Sequence, residues 1–271
     1  GAAAAIGRVA TWAAFLGVYV FLYAPLVTIA AFSFNDSTVQ ALPWAGFTTR
    51  WYRAIPDDGP LREALRFSFT VSLLAVAVSA VVGTAFALVL HHVRRRSARV
   101  LELALVVPVI VPGMVLGLSL AITFRELHLT SGLLTVVAGH ASFDAPIVTL
   151  LVLSRLQRVD PSLAQASMDL GADRLRTFVH VTFPQIRLAI FAASLLALTL
   201  SFDEVIVTFF LVGNQPTLPV FIWSQTRFGF TPEINAVVTV IGLVSIAIIV
   251  AATTVIQRDI GSARTGGRRA T

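Results

Sequence analysis

The chain has 271 residues, a net charge of +6 and an apolar fraction of 56%, and only 13% of its residues are charged. This composition is too apolar for a soluble domain. The absence of Cys excludes disulfides and thiolate metal or redox centres. Because every basic residue is Arg, the chain also lacks the Lys that a nucleotide-binding P-loop or a Schiff base needs.

Six apolar runs are each long enough to cross a bilayer as a helix, which takes about 20 residues. The runs are 9–34, 68–90, 100–124, 133–153, 186–212 and 234–256. The first run is longer than the apolar core of a signal peptide and has no clear cleavage site, so we expect it to be a retained span. The sequence therefore predicts an all-α, polytopic membrane protein formed by a single domain over 1–271.

The Arg residues are divided unequally between the two sides of the predicted spans. Fourteen of the twenty lie on the side that holds both termini and the loops 91–99 and 154–185. By the positive-inside rule these segments are cytoplasmic. This topology also explains the high pI without a nucleic-acid partner. It is favoured over a metal or lipid-headgroup site at His91, His92 and Arg94–Arg96, because adjacent His residues point about 100° apart on a helix.

The segments outside the membrane and the third run carry further local signals. The aromatic segment Gly46-Phe-Thr-Thr-Arg-Trp-Tyr52 predicts an outer surface elbow rather than a ligand site, and 60–67 predicts a short helix before the second span. Pro108, Pro112 and Gly113 predict an irregular third span that packs against the core. Pro219 predicts a short outer helix after the fifth span.

The cytoplasmic segment 160–184 predicts two short helices joined by a sharp turn. Asp160 caps the first helix and Pro161 suits its first turn. Gly171 ends that helix in the left-handed conformation. The second helix covers about 172–181, and Pro184 is expected to break the chain before the next span.

The motif Gln165-Ala-Ser-Met-Asp-Leu-Gly171, followed by Phe183-Pro184, resembles the EAA loop of membrane permeases of ABC importers. Gln165 stands where that family usually has Glu, and Ser167 where it has a second Ala. The resemblance implies a type I importer permease with six transmembrane helices, in which 160–184 is the coupling helix. It implies docking on a cytoplasmic ATPase through the following residues: Gln165, Ala166, Ser167, Asp169, Gly171 and Ala172.

Three acids lie within the apolar runs: Asp144, Asp203 and Glu204. A carboxylate near the bilayer centre costs about 2.5–3.5 kcal/mol on insertion scales, so each must face a cavity, a helix interface or a partner. For the adjacent pair two interpretations remain open: attraction of a cationic solute, or a hydrogen-bonded pair between helices. We assign Asp203, Glu204, Phe202 and Asp144 to a candidate solute pathway, although a structural role is favoured for Asp144, beside His140.

The segments Gly46–Tyr52, Thr199-Leu-Ser-Phe-Asp-Glu-Val-Ile-Val207 and Pro232-Glu-Ile-Asn-Ala236 are similar to the spermidine/putrescine branch of these permeases. This likeness implies import of a small cationic solute across the bacterial cytoplasmic membrane. It implies as partners an ATPase dimer that carries ATP and Mg, a second permease in a heterodimer, and an extracytoplasmic solute-binding protein. The chain itself is expected to bind no cofactor and no metal and to have no enzyme activity.

Other functions remain to be distinguished. Importers of ferric iron, thiamine or opines share much of the pattern. A secondary transporter acting alone would use Asp144, Asp203 or Glu204 as an ion relay, but the halves show no inverted repeat. An exporter's membrane domain is disfavoured because the coupling-loop pattern belongs to importers.

Overall fold

The structure is a computed structural model that describes residues 2–38, 42–93, 95–225 and 232–267. In that part of the chain the helices, in order, are α1 (Ala2–Phe32), α2 (Arg50–Ala54), α3 (Gly59–His92), α4 (Arg95–Ile110), α5 (Gly113–Glu126), α6 (Leu133–Leu156), α7 (Pro161–Asp169), α8 (Arg174–Thr177), α9 (Phe183–Asp203), α10 (Ile206–Leu211), α11 (Leu218–Gln225) and α12 (Pro232–Gly267). A 3₁₀ turn covers Ile55–Asp57, and a π-helical turn covers Phe178–Thr182. No strand occurs in the described ranges, which confirms the all-α class.

The chain divides into two compact units. The first comprises Gly1–Gly59 and Gln225–Thr271, and the second comprises Pro60–Ser224. In the first unit, α1 and α12 pack together and α2 contacts α12. The side chains of α1 are exposed along most of its length in this chain, including Trp12 and Phe21. Such a continuous apolar surface fits contact with lipid or another membrane subunit.

The elbow of the first unit, which contains the Gly46–Tyr52 segment, folds around Asn35. Its side-chain oxygen accepts a hydrogen bond from the Ala45 N–H (3.0 Å), and its carbonyl accepts one from the Trp51 indole (2.8 Å). Phe34 stacks on Phe47 with ring centroids 5.1 Å apart. The aromatic residues of the Gly46–Tyr52 segment therefore stabilise their own loop, as the elbow interpretation predicts.

The second unit is built around α6, the most deeply buried of its long helices. Two apolar clusters pack against it. One joins the end of α6 to the second half of α3 and to α9, and the other joins the start of α6 to α3 and α10. Gly83 allows α3 to approach α6 closely, because a Cβ there would lie 2.8 Å from the Ala145 carbonyl oxygen.

Four helices of the described chain are long and apolar enough to cross a membrane: Gly7–Phe32, Gly59–His92, Leu133–Leu156 and the continuous helical stretch Arg174–Asp203. The third predicted span corresponds to α4 and α5, which meet at a 99° bend beside Pro112. The start of α12, Pro232–Ala247, is apolar but shorter. The count of six spans stays a prediction.

Some local boundaries differ from the predictions. The segment 60–67 is not a separate helix but the first turns of α3. Pro184 does not break the chain: it lies in the first turn of α9, directly after the π-helical turn. There the Phe183 N–H reaches back five residues to the Phe178 carbonyl, a wider register that accommodates a proline lacking its N–H.

Of the remaining predicted segments, one is confirmed, one is interrupted, and one lies outside the described residues. The short helix predicted after the fifth span is confirmed as α11. The fifth run is not one helix, since α9 ends at Asp203 and α10 begins at Ile206. Arg94 and the side chains of Arg95 and Arg96, in the predicted topology-setting cluster, lie outside the described residues.

Candidate functional site

The segment 160–184 begins with a capped helix. The Asp160 carboxylate accepts a hydrogen bond from the Ser162 N–H at 2.9 Å, and Pro161 occupies the first turn, as predicted. This backbone hydrogen bond, with the Ser162 side chain, lowers the pKa of Asp160 below its ordinary value. At the other end Gly171 has φ +88°. The two ends of this helix are therefore set by residues that the sequence identifies.

The helix α7 ends in a Schellman motif. The Gly171 N–H donates to the Met168 carbonyl (2.9 Å), and the Ala172 N–H donates to the Ser167 carbonyl (3.1 Å). Asp173 then caps α8 by accepting a hydrogen bond from the Arg176 N–H at 2.7 Å. The hydroxyls of Ser167 and Thr177 lie 3.1 Å apart and join α7 to α8.

The predicted docking residues fall into two groups. Gln165, Ala166, Asp169 and Gly171 are exposed, whereas Ser167 and Ala172 are half-buried and hold the turn. The most exposed apolar side chains of this hairpin are Leu170 (89%) and Leu175 (71%), which the motif did not single out. Their positions on either side of the Gly171 turn are the signal from which the sequence could have identified them. The hairpin therefore presents an apolar and polar surface suited to a protein partner.

The fifth predicted span is interrupted at its acids. Asp203 is the last residue of α9, and Glu204 has an extended backbone with ψ 117°. The Glu204 carboxylate accepts a hydrogen bond from the Val207 N–H at 2.8 Å, in the first turn of α10. We call the non-helical residues Glu204 and Val205 the α9–α10 break.

The two adjacent acids have different environments. Asp203 is exposed on the surface of the second unit, and within the described chain its carboxylate forms no hydrogen bond or ion pair. Glu204 is half-buried and capped as described. Phe202 packs against Phe69 of α3 at 5.2 Å between ring centroids. Only Asp203 of this group leaves its side chain free for an external partner.

Asp144 lies on α6 and is fully buried. Neither carboxylate oxygen has a hydrogen-bond partner among the residues that the structure describes. One turn earlier, the imidazole of His140 contacts Ser201 of α9 and Thr208 of α10. The sequence placed Asp144 beside His140 but gave no sign that His140 bridges the α9–α10 break.

An open cleft of about 680 Å³ lies elsewhere in the second unit. Its wall carries Glu63, Arg66 and Phe67 of α3, with Asn214 and Gln215 of the loop before α11. None of the predicted pathway residues lines it.

A family model described as the binding-protein-dependent transport system inner membrane component matches residues 79–258. This range includes both the hairpin of α7 and α8 and the α9–α10 break. The chain belongs to this family. Members of the binding-protein-dependent transport family are inner membrane components, so the apolar helices described above are those of a membrane permease.

Two relatives in this family are similar over most of their length. The putrescine transport system permease protein PotI of Escherichia coli (strain K12) is 36% identical over 231 residues, which cover 82% of each chain. The spermidine/putrescine transport system permease protein PotC of the same organism is 30% identical over 262 residues, covering 96% of this chain and 98% of PotC.

A solved ABC transporter structure shows the same fold. A chain of the bacterial alginate ABC transporter, in complex with an alginate pentasaccharide-bound periplasmic protein, superposes with a TM-score of 0.72 at 13% identity. The match covers 93% of this chain and 94% of that one. The fold is thus that of an ABC importer permease.

Proposed function

We propose that this chain is the permease subunit of an ATP-driven importer that carries polyamines such as putrescine or spermidine across the bacterial cytoplasmic membrane. The observation that carries the proposal is the likeness to PotI and PotC over nearly the whole chain. The free carboxylate of Asp203 at the α9–α10 break supports a cationic solute, because a polyamine carries several positive charges.

The proposed assembly contains two permeases, of which this chain is one and a different chain is the other. An ATPase dimer that binds ATP and Mg docks on the cytoplasmic side, and a binding protein delivers the solute from outside. Both termini of this chain are cytoplasmic in this arrangement, in agreement with the distribution of Arg. The chain itself holds no cofactor and hydrolyses no ATP.

The hairpin of α7 and α8 is the proposed docking element for the ATPase. Gln165, Ala166 and Asp169 supply its polar contacts, and Leu170 with Leu175 supplies apolar area. Ser167, Gly171 and Ala172 act by holding the turn, through the hydrogen bonds described above. In this proposal some motif residues contact the ATPase directly, and the others hold the turn that presents them.

The acids are likewise divided in this proposal. Asp203 meets the solute, Glu204 caps α10, and Phe202 fixes the end of α9 against α3. Asp144 has no exposed atom, and we assign it a structural role beside His140. The predicted pathway then reduces to Asp203, with its three companions supporting the local fold.

Transport tests the proposal directly. The complete complex, purified with its ATPase and reconstituted in proteoliposomes, should take up radiolabelled spermidine or putrescine only with ATP and the binding protein. An excess of thiamine or ferric citrate should not compete. Uptake of thiamine or iron instead would replace the solute class, and uptake without ATP would indicate a secondary transporter.

The absence of Cys allows a second test. Asp203→Cys should react with a positively charged methanethiosulfonate reagent, which needs water around the thiol. Ala197→Cys, fully buried on the same helix, and Leu200→Cys, apolar and exposed, are the matched controls. If Leu200→Cys and Asp203→Cys both react only with an uncharged maleimide, position 203 faces lipid and the solute role is refuted.

A further inference from the structure

His140 lies between the two halves of the broken fifth span. It is fully buried on α6. Its Nδ1 is 2.7 Å from the Ser201 hydroxyl on α9, and its Nε2 is 2.8 Å from the Thr208 hydroxyl on α10. A single side chain of a neighbouring helix is thus hydrogen-bonded on both sides of the α9–α10 break.

The direction of these hydrogen bonds follows from the number of protons available. The Thr208 hydroxyl donates its one proton to the Glu204 carbonyl at 2.9 Å. It can therefore only accept from His140, which places the imidazole proton on Nε2. The unprotonated Nδ1 then accepts from the Ser201 hydroxyl. Every donor in this set of three side chains has one acceptor, so the neutral imidazole is fully satisfied.

This set, His140, Ser201 and Thr208, fixes the backbone around the acids. Thr208 holds the Glu204 carbonyl while the Val207 N–H holds the Glu204 carboxylate. On the other side Ser201 holds the last turn of α9, which ends at Asp203. His140 is therefore hydrogen-bonded to the chain on both sides of Asp203 and Glu204.

Close packing of α10 against α5 and α6 permits the hydrogen bond between Thr208 and His140. A Cβ on Gly117 of α5 would lie 3.0 Å from the Val207 Cα, and one on Gly139 of α6 would meet the Leu211 side chain. Both glycines allow α10 to lie close to its neighbours. In this close packing the hydroxyl of Thr208 lies within hydrogen-bonding distance of His140.

We propose that His140 is a positioning residue for solute recognition: it holds the α9–α10 break so that the Asp203 carboxylate is presented to a cationic solute. This inference rests on the proposed function, in which Asp203 contacts the solute. His140 itself touches no solute and acts only through the break.

The test measures ATP-dependent spermidine uptake by the reconstituted complex for His140→Ala, Asp203→Asn and the double variant. Loss of two neutral hydrogen bonds should raise the apparent KM of His140→Ala about five- to tenfold, with a smaller change in maximal rate. The KM of the double variant should equal that of Asp203→Asn alone, because His140 then has no carboxylate to position.

Conservative variants separate positioning from general stability. His140→Gln retains a donor toward Thr208, and His140→Asn retains an acceptor toward Ser201, so each should restore part of the KM that His140→Ala loses. Ser201→Ala removes only the contact to His140, whereas Thr208→Val removes both its contact to His140 and its hydrogen bond to the Glu204 carbonyl. Each should reproduce part of the KM increase, and Ser201→Ala is the cleaner test because it leaves the Glu204 carbonyl bond in place. They also replace His140→Ala if that variant fails to assemble.

The outcomes distinguish this inference from the proposed function. An unchanged KM in Asp203→Asn refutes the solute role of Asp203 and the role of His140 with it. A raised KM in Asp203→Asn, combined with additive effects in the double variant, overturns the role of His140 alone. Unchanged KM in Thr208→Val and Ser201→Ala, with reduced complex yield only, also overturns it.

Discussion

Gly171 is the residue at which a small substitution tests the hairpin most directly. Its φ of +88° lies in the left-handed region, and a Cβ built on it would meet nothing within 4 Å. Gly171→Ala therefore introduces conformational strain without a steric clash. For an L-residue this strain is about 1–2 kcal/mol. It acts on the turn that connects α7 to α8 and on nothing else.

If the ATPase binds only the intact hairpin, and the free hairpin is marginally stable, this strain lowers the apparent affinity by up to about 5- to 30-fold. The assay is titration of the detergent-solubilised permease pair with its ATPase, read by co-elution and by stimulated ATP hydrolysis. Gly171→Asn should lose less, because Asn tolerates the left-handed region, and Gly171→Val should lose more. Gly242→Ala, also open within 4 Å but in a helix, is the control.

The loss of ATPase affinity should increase in the order Gly171→Asn, Gly171→Ala, Gly171→Val. Equal affinity for wild type and Gly171→Ala would refute the need for the left-handed cap. Equal loss in Gly171→Asn and Gly171→Ala would show that the missing hydrogen bonds or a new contact, rather than backbone strain, cause the defect.

Three further predictions concern stability and capping. Gly83→Ala places a Cβ 2.8 Å from the Ala145 oxygen and should cost about 1–3 kcal/mol, partly offset by about 1 kcal/mol of helix propensity, as thermal unfolding of the purified complex would measure. Thr135→Val removes the hydroxyl 2.9 Å from the Leu211 carbonyl, which keeps its hydrogen bond from the Gly132 N–H, and should cost about 0.5–1.5 kcal/mol by the same measurement. Because the pKa of Asp160 is lowered, its cap contributes above the ordinary Asp pKa and is lost as pH falls through the lowered value. Hydrogen exchange of the first turn of α7 should show this loss, and Asp160→Asn should remove its pH dependence.

The hairpin could be predicted from the sequence because its determinants are local. Asp160 caps the residue two positions on, and Gly171 closes a motif within six residues. Capping and left-handed closure depend on side-chain chemistry at fixed offsets, which a sequence displays. The prediction that Pro184 breaks the chain was wrong. A π-helical turn before it changes the hydrogen-bond register, and no single residue type marks such a turn.

The α9–α10 break could not be predicted because its determinants are distant in the chain. No Gly or Pro occurs between Ser201 and Val212, so the segment has the apolar pattern of a continuous helix. The break is held by His140, more than sixty residues earlier, and by the close approach that Gly117 allows. The polar residues Asp203 and Glu204 indicated a special position, but which of them is free was decided by tertiary contacts.

One continuous helical stretch connects the two candidate sites. The 30 residues Arg174–Asp203 have the hairpin at one end and the α9–α10 break at the other, about 45 Å away at 1.5 Å per residue. If this stretch moves as a rigid rod, a displacement of the hairpin by the ATPase reaches Asp203 without loss. Spin labels on Arg176→Cys and Leu200→Cys, both exposed and outside the proposed contacts, should then keep one distance through the nucleotide cycle. A distance that changes would place flexion in the π-helical turn, where the helical register is already altered.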